Sequence, residues 1–319
     1  MRQRRYAEAV SFAEKEANAQ NSEFWYTQLS LALKRMGDTA GAIENARKAL
    51  MIAPRNSYAL LAYADALSSA GRTSEALSAY EEAARDTATA DRAQEGVFQC
   101  LAAQKNWTAV LERLTQGNDG RDYPYWRIRA LGSLGRTDEA IGICEEQLKS
   151  TPGDSKILWA LVELEITRDG LEQVMRRYER IAKIPSRPPV YTEIYASLCR
   201  RAGISEKAIA QYEKLEMKTT APGIVRKKAF ALAKTGKEDE AIPLFEELLR
   251  ADPRDMYVNA SYVSACRRKG LLNRAWKTYH DLIGQFPDEK TLLGRLKKIS
   301  KELEQNPPVS GNKDDAPPQ

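Results

Sequence analysis

The sequence predicts an all-α solenoid of stacked helix–turn–helix repeats that ends in a C-terminal capping helix. An alanine recurs at spacings of about 34 residues or twice that, at Ala42, Ala76, Ala140, Ala208, Ala241 and Ala275. A glycine stands five residues before each of these alanines, and a proline stands twelve residues after four of them. No stretch alternates apolar and polar residues in the way that a β-strand does.

The clearest copy of the repeat, residues 221–255, contains two amphipathic runs. The first run, 225–234, ends before Gly236, which can adopt the left-handed conformation needed after a helix. The second run, 240–250, places its apolar residues on one face and ends before Pro253. A lone hairpin of this size cannot bury its apolar face, so the copies are expected to stack.

Two further positions of the repeat have a predicted role. The small residue at the alanine position lets two helices approach to about 8–10 Å. A hydroxyl residue two positions after the glycine is predicted to cap the free amides of the second helix, at Thr39, Thr73, Thr137 and Ser205.

The repeats divide the chain into five predicted segments. Residues 1–20 form a partial repeat or an N-terminal cap helix, and the absence of a partner helix for them favours a chain excised from a longer one. Repeats one to three occupy 23–120 and repeats four to eight occupy 121–289, with a bend expected at 117–124. A capping helix follows at 290–305, and the polar tail 306–319 is expected to be disordered.

This glycine, alanine and proline spacing resembles the tetratricopeptide repeat over roughly residues 1–289. The resemblance implies a right-handed superhelix whose first helices line a concave groove for a peptide or a partner helix. Members that hold chaperone tails use Lys and Asn residues on three consecutive first helices. Thr27, Leu61 and Glu95 stand at those positions here, so a chaperone tail is not expected as the ligand.

Composition narrows the class of protein. The net charge of +5 over 319 residues does not call for nucleic acid, and no apolar run is long enough to insert into a membrane. The four cysteines lie on apolar helix faces without metal-ligand spacing, which favours a reducing compartment. We therefore expect a cytoplasmic protein, or a periplasmic one if the chain is a segment of a longer envelope protein.

The sequence predicts no enzyme. His280 is the single histidine, which removes most nucleophile–base pairs and most metal sites. The recurring acidic pairs Glu81/Glu82, Glu145/Glu146 and Glu246/Glu247 are interpreted as a repeated solvated face. No catalytic residue, metal ligand or cofactor is predicted.

Candidate partner-binding residues lie at equal positions on the first helices. One line runs through Tyr125, Trp159, Glu193 and Arg226, and another through Arg129, Glu163, Ser197 and Phe230. Tyr125, Trp126 and Trp159 either form an aromatic floor of the groove or pack between repeats.

A second candidate set consists of basic residues near the ends of the first helices. Residues 189–303 contain 22 Lys and Arg against 15 Asp and Glu, so this end can hold an acidic partner. The helix dipole offers another explanation, because it favours cations at any helix C-terminus. The predicted contacts of this set are Arg200, Arg201, Arg226, Lys234, Arg267 and Arg268.

Three functions are compatible with these patterns. The first is a non-catalytic scaffold that binds a protein or peptide in the groove. The second is a helical-repeat protein that binds RNA or another polyanion, which the mixed size and sign of the groove lines disfavour. The third is the repeat segment of a larger envelope-assembly or polysaccharide-export protein. Partner identity and oligomeric state are not predicted.

Overall fold

The computed structural model describes residues 2–116, 123–217, 222–287 and 289–305. These residues contain eighteen α-helices and no strand. They divide into two compact units, Met1–Lys149 and Ser150–Gln319. Most of the loop predicted at 117–124, and the whole tail predicted at 306–319, lie outside the described residues.

Sixteen of the helices form eight pairs. The first helices of the pairs are α2 (Glu23–Met36), α4 (Ser57–Ser69), α6 (Ala90–Ala103), α8 (Pro124–Ser133), α10 (Ser155–Asp169), α12 (Pro189–Arg201), α14 (Pro222–Lys234) and α16 (Met256–Arg268). The second helices are α3 (Thr39–Ile52), α5 (Thr73–Ala83), α7 (Trp107–Gln116), α9 (Thr137–Ser150), α11 (Leu171–Ala182), α13 (Ser205–Glu216), α15 (Glu238–Ala251) and α17 (Leu272–Gln285).

The pairs stack on one another as the sequence predicts. Within each unit, most helices that follow one another in the chain pack together, and some first helices also contact the next first helix. Helix α2 packs on α4 and α4 on α6 in the first unit, and α14 packs on α16 in the second. The described chain is therefore an all-α helical-repeat solenoid, and within their own units the first helices α2, α4 and α6, and likewise α14 and α16, form a common face.

The alanine and glycine positions behave as predicted. All six alanines of the repeat are fully buried, as are Val110 and Val174 at the same place in the two degenerate copies. The six glycines have positive φ, between 69° and 90°. In the third repeat Lys105 takes the left-handed place with φ of 57°, although a side chain makes that conformation costly.

The predicted caps of the second helices are wrong by one residue. Thr39, Thr73, Thr137 and Ser205 are each the first residue inside their helix. The preceding residue stands at the cap, and only Asp38 is seen to accept an amide there, from Gly41 at 2.9 Å. The fixed distance from the glycine leaves room for one cap residue alone, so the hydroxyl residue one place later already belongs to the first turn of the helix.

Side-chain caps instead begin the first helices. Asn56, Asp154 and Asp255 each accept two backbone amides of the following turn. Each stands two residues after a repeat proline, which places a residue that cannot continue a helix just before one that starts the next.

The core of each unit consists of alanines and larger side chains that interlock between repeats. In α6, a Cβ added at Gly96 would lie 2.5 Å from the ring of Tyr80, so this glycine allows the tyrosine to pack against the helix backbone. The four cysteines are buried, as predicted. Burial raises the pKa of Cys266 to about 11, which keeps its thiol protonated and unreactive.

Two helices lie outside the eight pairs. Helix α1 (Arg2–Gln20) packs on α2 and buries Ala13 and Ala17. Helix α18 (Lys290–Gln305) packs on α17, buries Leu292 and Ile299, and accepts a hydrogen bond from Trp276 Nε1 at Ser300 Oγ, 3.0 Å. That residues 1–20 form a partial repeat or cap, and that 290–305 cap the other end, stay predictions.

Candidate functional site

The common face of α2, α4 and α6 in the first unit holds a cavity of about 390 Å³. Its volume lies within the usual range of ligand pockets, roughly 300–1,000 Å³. We call it the first-unit groove. Its walls are formed by Glu23, Phe24, Thr27, Gln28, Leu31, Asn56, Tyr58, Leu61, Ala62 and Arg92.

The groove combines exposed aromatic rings with a buried floor. Phe24 is 54% exposed and Tyr58 is 60% exposed, whereas Thr27 and Leu61 between them are buried. Phe24, Tyr58 and Arg92 follow one another at intervals of 34 residues, so each lies at the start of its own first helix. Large exposed aromatic rings beside a concave surface are typical of protein interfaces.

Sequence reasoning missed this groove. Thr27, Leu61 and Glu95 occupy the positions of a chaperone-tail clamp, and the predicted aromatic contacts begin only at Tyr125. The signal was nevertheless present, because the same 34-residue spacing joins Phe24, Tyr58 and Arg92 three positions earlier. Spacing alone did not reveal which line stays exposed.

A cluster of charged groups lies beside the groove, with Asp65 at its centre. Asp65 Oδ2 accepts Lys34 Nζ at 2.8 Å and Arg92 at 2.5 Å, and its Oδ1 accepts the Tyr80 hydroxyl at 2.6 Å. Burial disfavours the carboxylate, but the hydrogen bonds from Lys34 and Tyr80 outweigh burial and lower the pKa of Asp65. These contacts join the first three repeats.

The predicted contacts of the fourth repeat lie together around Arg129. Its guanidinium carbon lies 5.3, 5.8 and 5.2 Å from the ring centres of Trp107, Tyr125 and Trp126. Trp126 is buried, Tyr125 is half-buried and Arg129 is exposed. Arg129 therefore covers the aromatic side chains, and among the described residues it has no carboxylate partner.

In the second unit, Trp159 lies next to an ion pair. Lys227 Nζ donates to Glu193 at 2.5 Å and lies 5.5 Å from the ring centre of Trp159. Glu193 of the predicted line thus pairs with Lys227, while Arg226 of the same line pairs with Asp255. The sixth repeat is one residue shorter than the standard length, and packing selects the neighbouring side chain.

Most of the predicted basic contacts pair with carboxylates of neighbouring repeats. Arg201 pairs with Glu163, Arg226 with Asp255, Arg267 with Glu302 and Arg268 with Glu238, all at 2.5–2.9 Å. Arg200 and Lys234 are exposed and have no such partner among the described residues. Four of the six predicted basic contacts therefore already have a carboxylate partner within the repeat stack.

Two segments of the chain, residues 33–97 and 227–255, match models of the tetratricopeptide repeat. The chain is a tetratricopeptide repeat protein. Repeats of this family generally act as scaffolds for protein–protein interaction. The first matched segment includes half of the residues that line the first-unit groove, and the second includes most of the α14–α15 hairpin.

Several solved structures are similar to this tetratricopeptide repeat protein. A tetratricopeptide repeat protein from Parabacteroides merdae is 15% identical with a TM-score of 0.38, over 87% of this chain and 98% of that one. The PilF protein of Pseudomonas aeruginosa is 18% identical with a TM-score of 0.33, over 76% and 95%. A thermophilic repeat protein from Thermus thermophilus is 15% identical with a TM-score of 0.34, over 76% and 98%. No curated protein matches the chain.

The remaining candidate groups of this repeat protein have structural contacts. Glu246 is buried and accepts Arg274 and the Tyr262 hydroxyl, so the interpretation of its acidic pair as solvated is wrong for this member. His280 is exposed and stacks on Trp276 at 5.1 Å. Within the described residues, no group of His, Cys, Asp and Glu forms a metal site, and no helix could cross a membrane.

Proposed function

We propose that this tetratricopeptide repeat protein is a non-catalytic scaffold that binds an extended peptide segment of a partner protein in the first-unit groove. The observation that supports the proposal most is the cavity on the face of α2, α4 and α6, with Phe24 and Tyr58 exposed at its edge. Contact of aromatic side chains of this size with water is unfavourable. A partner that covers them therefore gains binding free energy.

The aromatic side chains of the fourth and fifth repeats are secondary contacts in this proposal. Tyr125, Trp126 and Arg129 form one local surface in the first unit, and Trp159 with Lys227 forms another in the second. They are weaker candidates than the groove, because their rings are already covered in part by Arg129 or Lys227. The sequence-based expectation of an acidic partner receives its support from Arg129, Arg200 and Lys234 rather than from the paired cations.

The test compares two variants of the intact chain in affinity capture. Tyr58 and Tyr257 are both exposed tyrosines at the second position of a first helix, in the second and eighth repeats. Phe24→Ser/Tyr58→Ser should lose captured proteins that the wild-type chain and Tyr257→Ser retain. Far-UV circular dichroism checks that all three chains are equally helical.

The opposite outcome would remove the proposal. If the groove variant captures the same proteins in the same amounts as the wild-type chain while its helicity is unchanged, the groove does not bind the partner. A comparison with Tyr125→Ala/Trp159→Ala then shows whether the secondary contacts bind it instead.

A further inference from the structure

The first-unit groove has one charged side chain at each end. Glu23 lies on α2 and Arg92 lies on α6, and the apolar walls of α4 separate them. No described residue forms an ion pair with Glu23. The groove therefore has a negative end and a positive end.

Arg92 gives the Asp65 cluster an excess of positive charge. Lys34 already neutralises Asp65, and the Tyr80 hydroxyl satisfies the other carboxylate oxygen. With Arg92 added, the three charged groups carry a net positive charge. Arg92 is 60% exposed, so most of its N–H donors remain open to a ligand.

The helix dipole does not explain where Arg92 stands. It is the third residue of α6, where the exposed backbone amides already make the helix end positive and a cation is unfavourable. By contrast, the helix dipole favours the basic residues in the last turns of the first helices. Glu95 lies one turn further along α6 and does not line the groove.

The length of the ligand follows from the helix spacing. Neighbouring helices pack about 8–10 Å apart, so α2 and α6 are separated by about 16–20 Å across α4. An extended chain advances about 3.3 Å per residue, so about five or six residues reach from Glu23 to Arg92.

We propose that the first-unit groove binds an extended partner segment of about six residues with an acidic side chain at the Arg92 end, apolar side chains between Phe24 and Tyr58, and a basic side chain at the Glu23 end. The proposal rests on the proposed function of the groove and names the chemical class of its ligand. Either chain direction satisfies the two charges, so the order of the end residues decides how the segment lies.

The experiment uses four sets of six-residue peptides with acetylated and amidated ends and a fluorescent label. Their centres carry Leu and Phe, and their ends are oppositely charged in both orders, both acidic, both basic or both uncharged. Binding to the intact chain is measured by fluorescence anisotropy. One order of oppositely charged ends should bind about five-fold more tightly than the uncharged peptide for each charge pair formed.

Two variants test each end separately. Arg92→Gln should remove the preference for the acidic end alone, and Glu23→Gln should remove the preference for the basic end alone. Glu95→Gln is the matched control, since it removes a nearby charge that does not line the groove, and it should keep both preferences.

The possible outcomes separate this inference from the proposed function. If Phe24→Ser/Tyr58→Ser abolishes binding while all four peptide sets bind wild type equally, the groove binds peptides and the charge inference is wrong. Unchanged preferences in Arg92→Gln and Glu23→Gln also overturn it. If no peptide binds, or if the serine variant binds as well as wild type, the inference fails together with the proposed function.

Discussion

The first unit and the second unit join their repeats in different ways. In the first unit, small residues and aromatic rings interlock, and the face of the first helices keeps an open apolar groove with Phe24 and Tyr58 exposed. In the second unit, carboxylates and cations pair across neighbouring repeats, as in Arg268 with Glu238 and Arg274 with Glu246.

The difference shows that a count of basic residues does not locate a binding surface. A cation that already pairs with a neighbouring repeat must give up that pair before it can hold an acidic ligand, so its net contribution to binding is small. An exposed ring in a concave surface loses only its contact with water when a ligand binds. The less charged unit therefore offers the better site.

The largest expected effect tests the close packing of the first unit. Gly96→Val adds a branched side chain where Tyr80 leaves no space, and we expect the free energy of unfolding to fall by about 2 kcal/mol. Denaturant unfolding followed by circular dichroism measures it. Gly142 is an exposed helical glycine with open space around it, so Gly142→Val should change stability by less than about 0.5 kcal/mol. Equal effects at the two sites would show that Tyr80 does not restrict α6.

Two adjacent residues, one buried in an ion pair and one exposed, test the ionic contacts of the second unit. Glu246 is buried and accepts Arg274 at 2.8 and 3.0 Å, whereas Glu247 is exposed. Because Arg274 is partly exposed, we expect Glu246→Gln to cost about 1–2 kcal/mol of unfolding free energy. Glu247→Gln should cost less than about 0.5 kcal/mol. Similar losses for both would mean that the buried pair does not stabilise this unit.

The Asp65 cluster is an ionic contact between repeats of the first unit, and acid should weaken it. The pKa of Asp65 is lowered in the folded chain, so its carboxylate stabilises the fold fully above about pH 4, its ordinary value, and loses that stabilisation as pH falls further. Asp65→Asn should lower stability by about 1–2 kcal/mol at pH 7. The loss relative to wild type should shrink in denaturant unfolding at pH 3, and a loss that is constant with pH contradicts the assignment.

The smallest expected effect concerns the turn of the third repeat. Lys105→Gly removes a side chain from a left-handed residue and should raise the unfolding free energy by about 0.5–1 kcal/mol. Gly135 has the same place in the fourth repeat with φ of 78°, and Gly135→Lys should lower stability by a similar amount. Thermal unfolding of both variants measures the pair. A stabilising effect of Gly135→Lys would show that the left-handed turn is not maintained.

The sequence predicted the repeat well because its signals are local. A glycine that must have positive φ, an alanine that must be small and a proline that must stop a helix each act within a few residues. The predicted caps of the second helices are one residue too late. The spacing from the glycine locates the turn, but it does not show which side chain accepts the helix amides. The caps at Asn56, Asp154 and Asp255 were not predicted, although their position two residues after a repeat proline was a signal for them.

The site was predicted less well because exposure depends on neighbours. Tyr125 and Trp126 belong to the predicted aromatic floor, yet Arg129 covers their rings. Arg267 and Glu302 are 35 residues apart, and nothing in either local sequence announces their ion pair.

The amino-acid sequence by itself determined the helical pairs and their turns, because these follow from steric preferences within one repeat. It also determined that the pairs stack, because a lone pair leaves its apolar face exposed. Tertiary structure alone decided which cations pair with carboxylates and where a cavity remains, because these depend on side chains that meet only when neighbouring repeats pack. Phe24, Tyr58 and Arg92 share a spacing with many other residues, and only the packing of α2, α4 and α6 leaves them around an open groove.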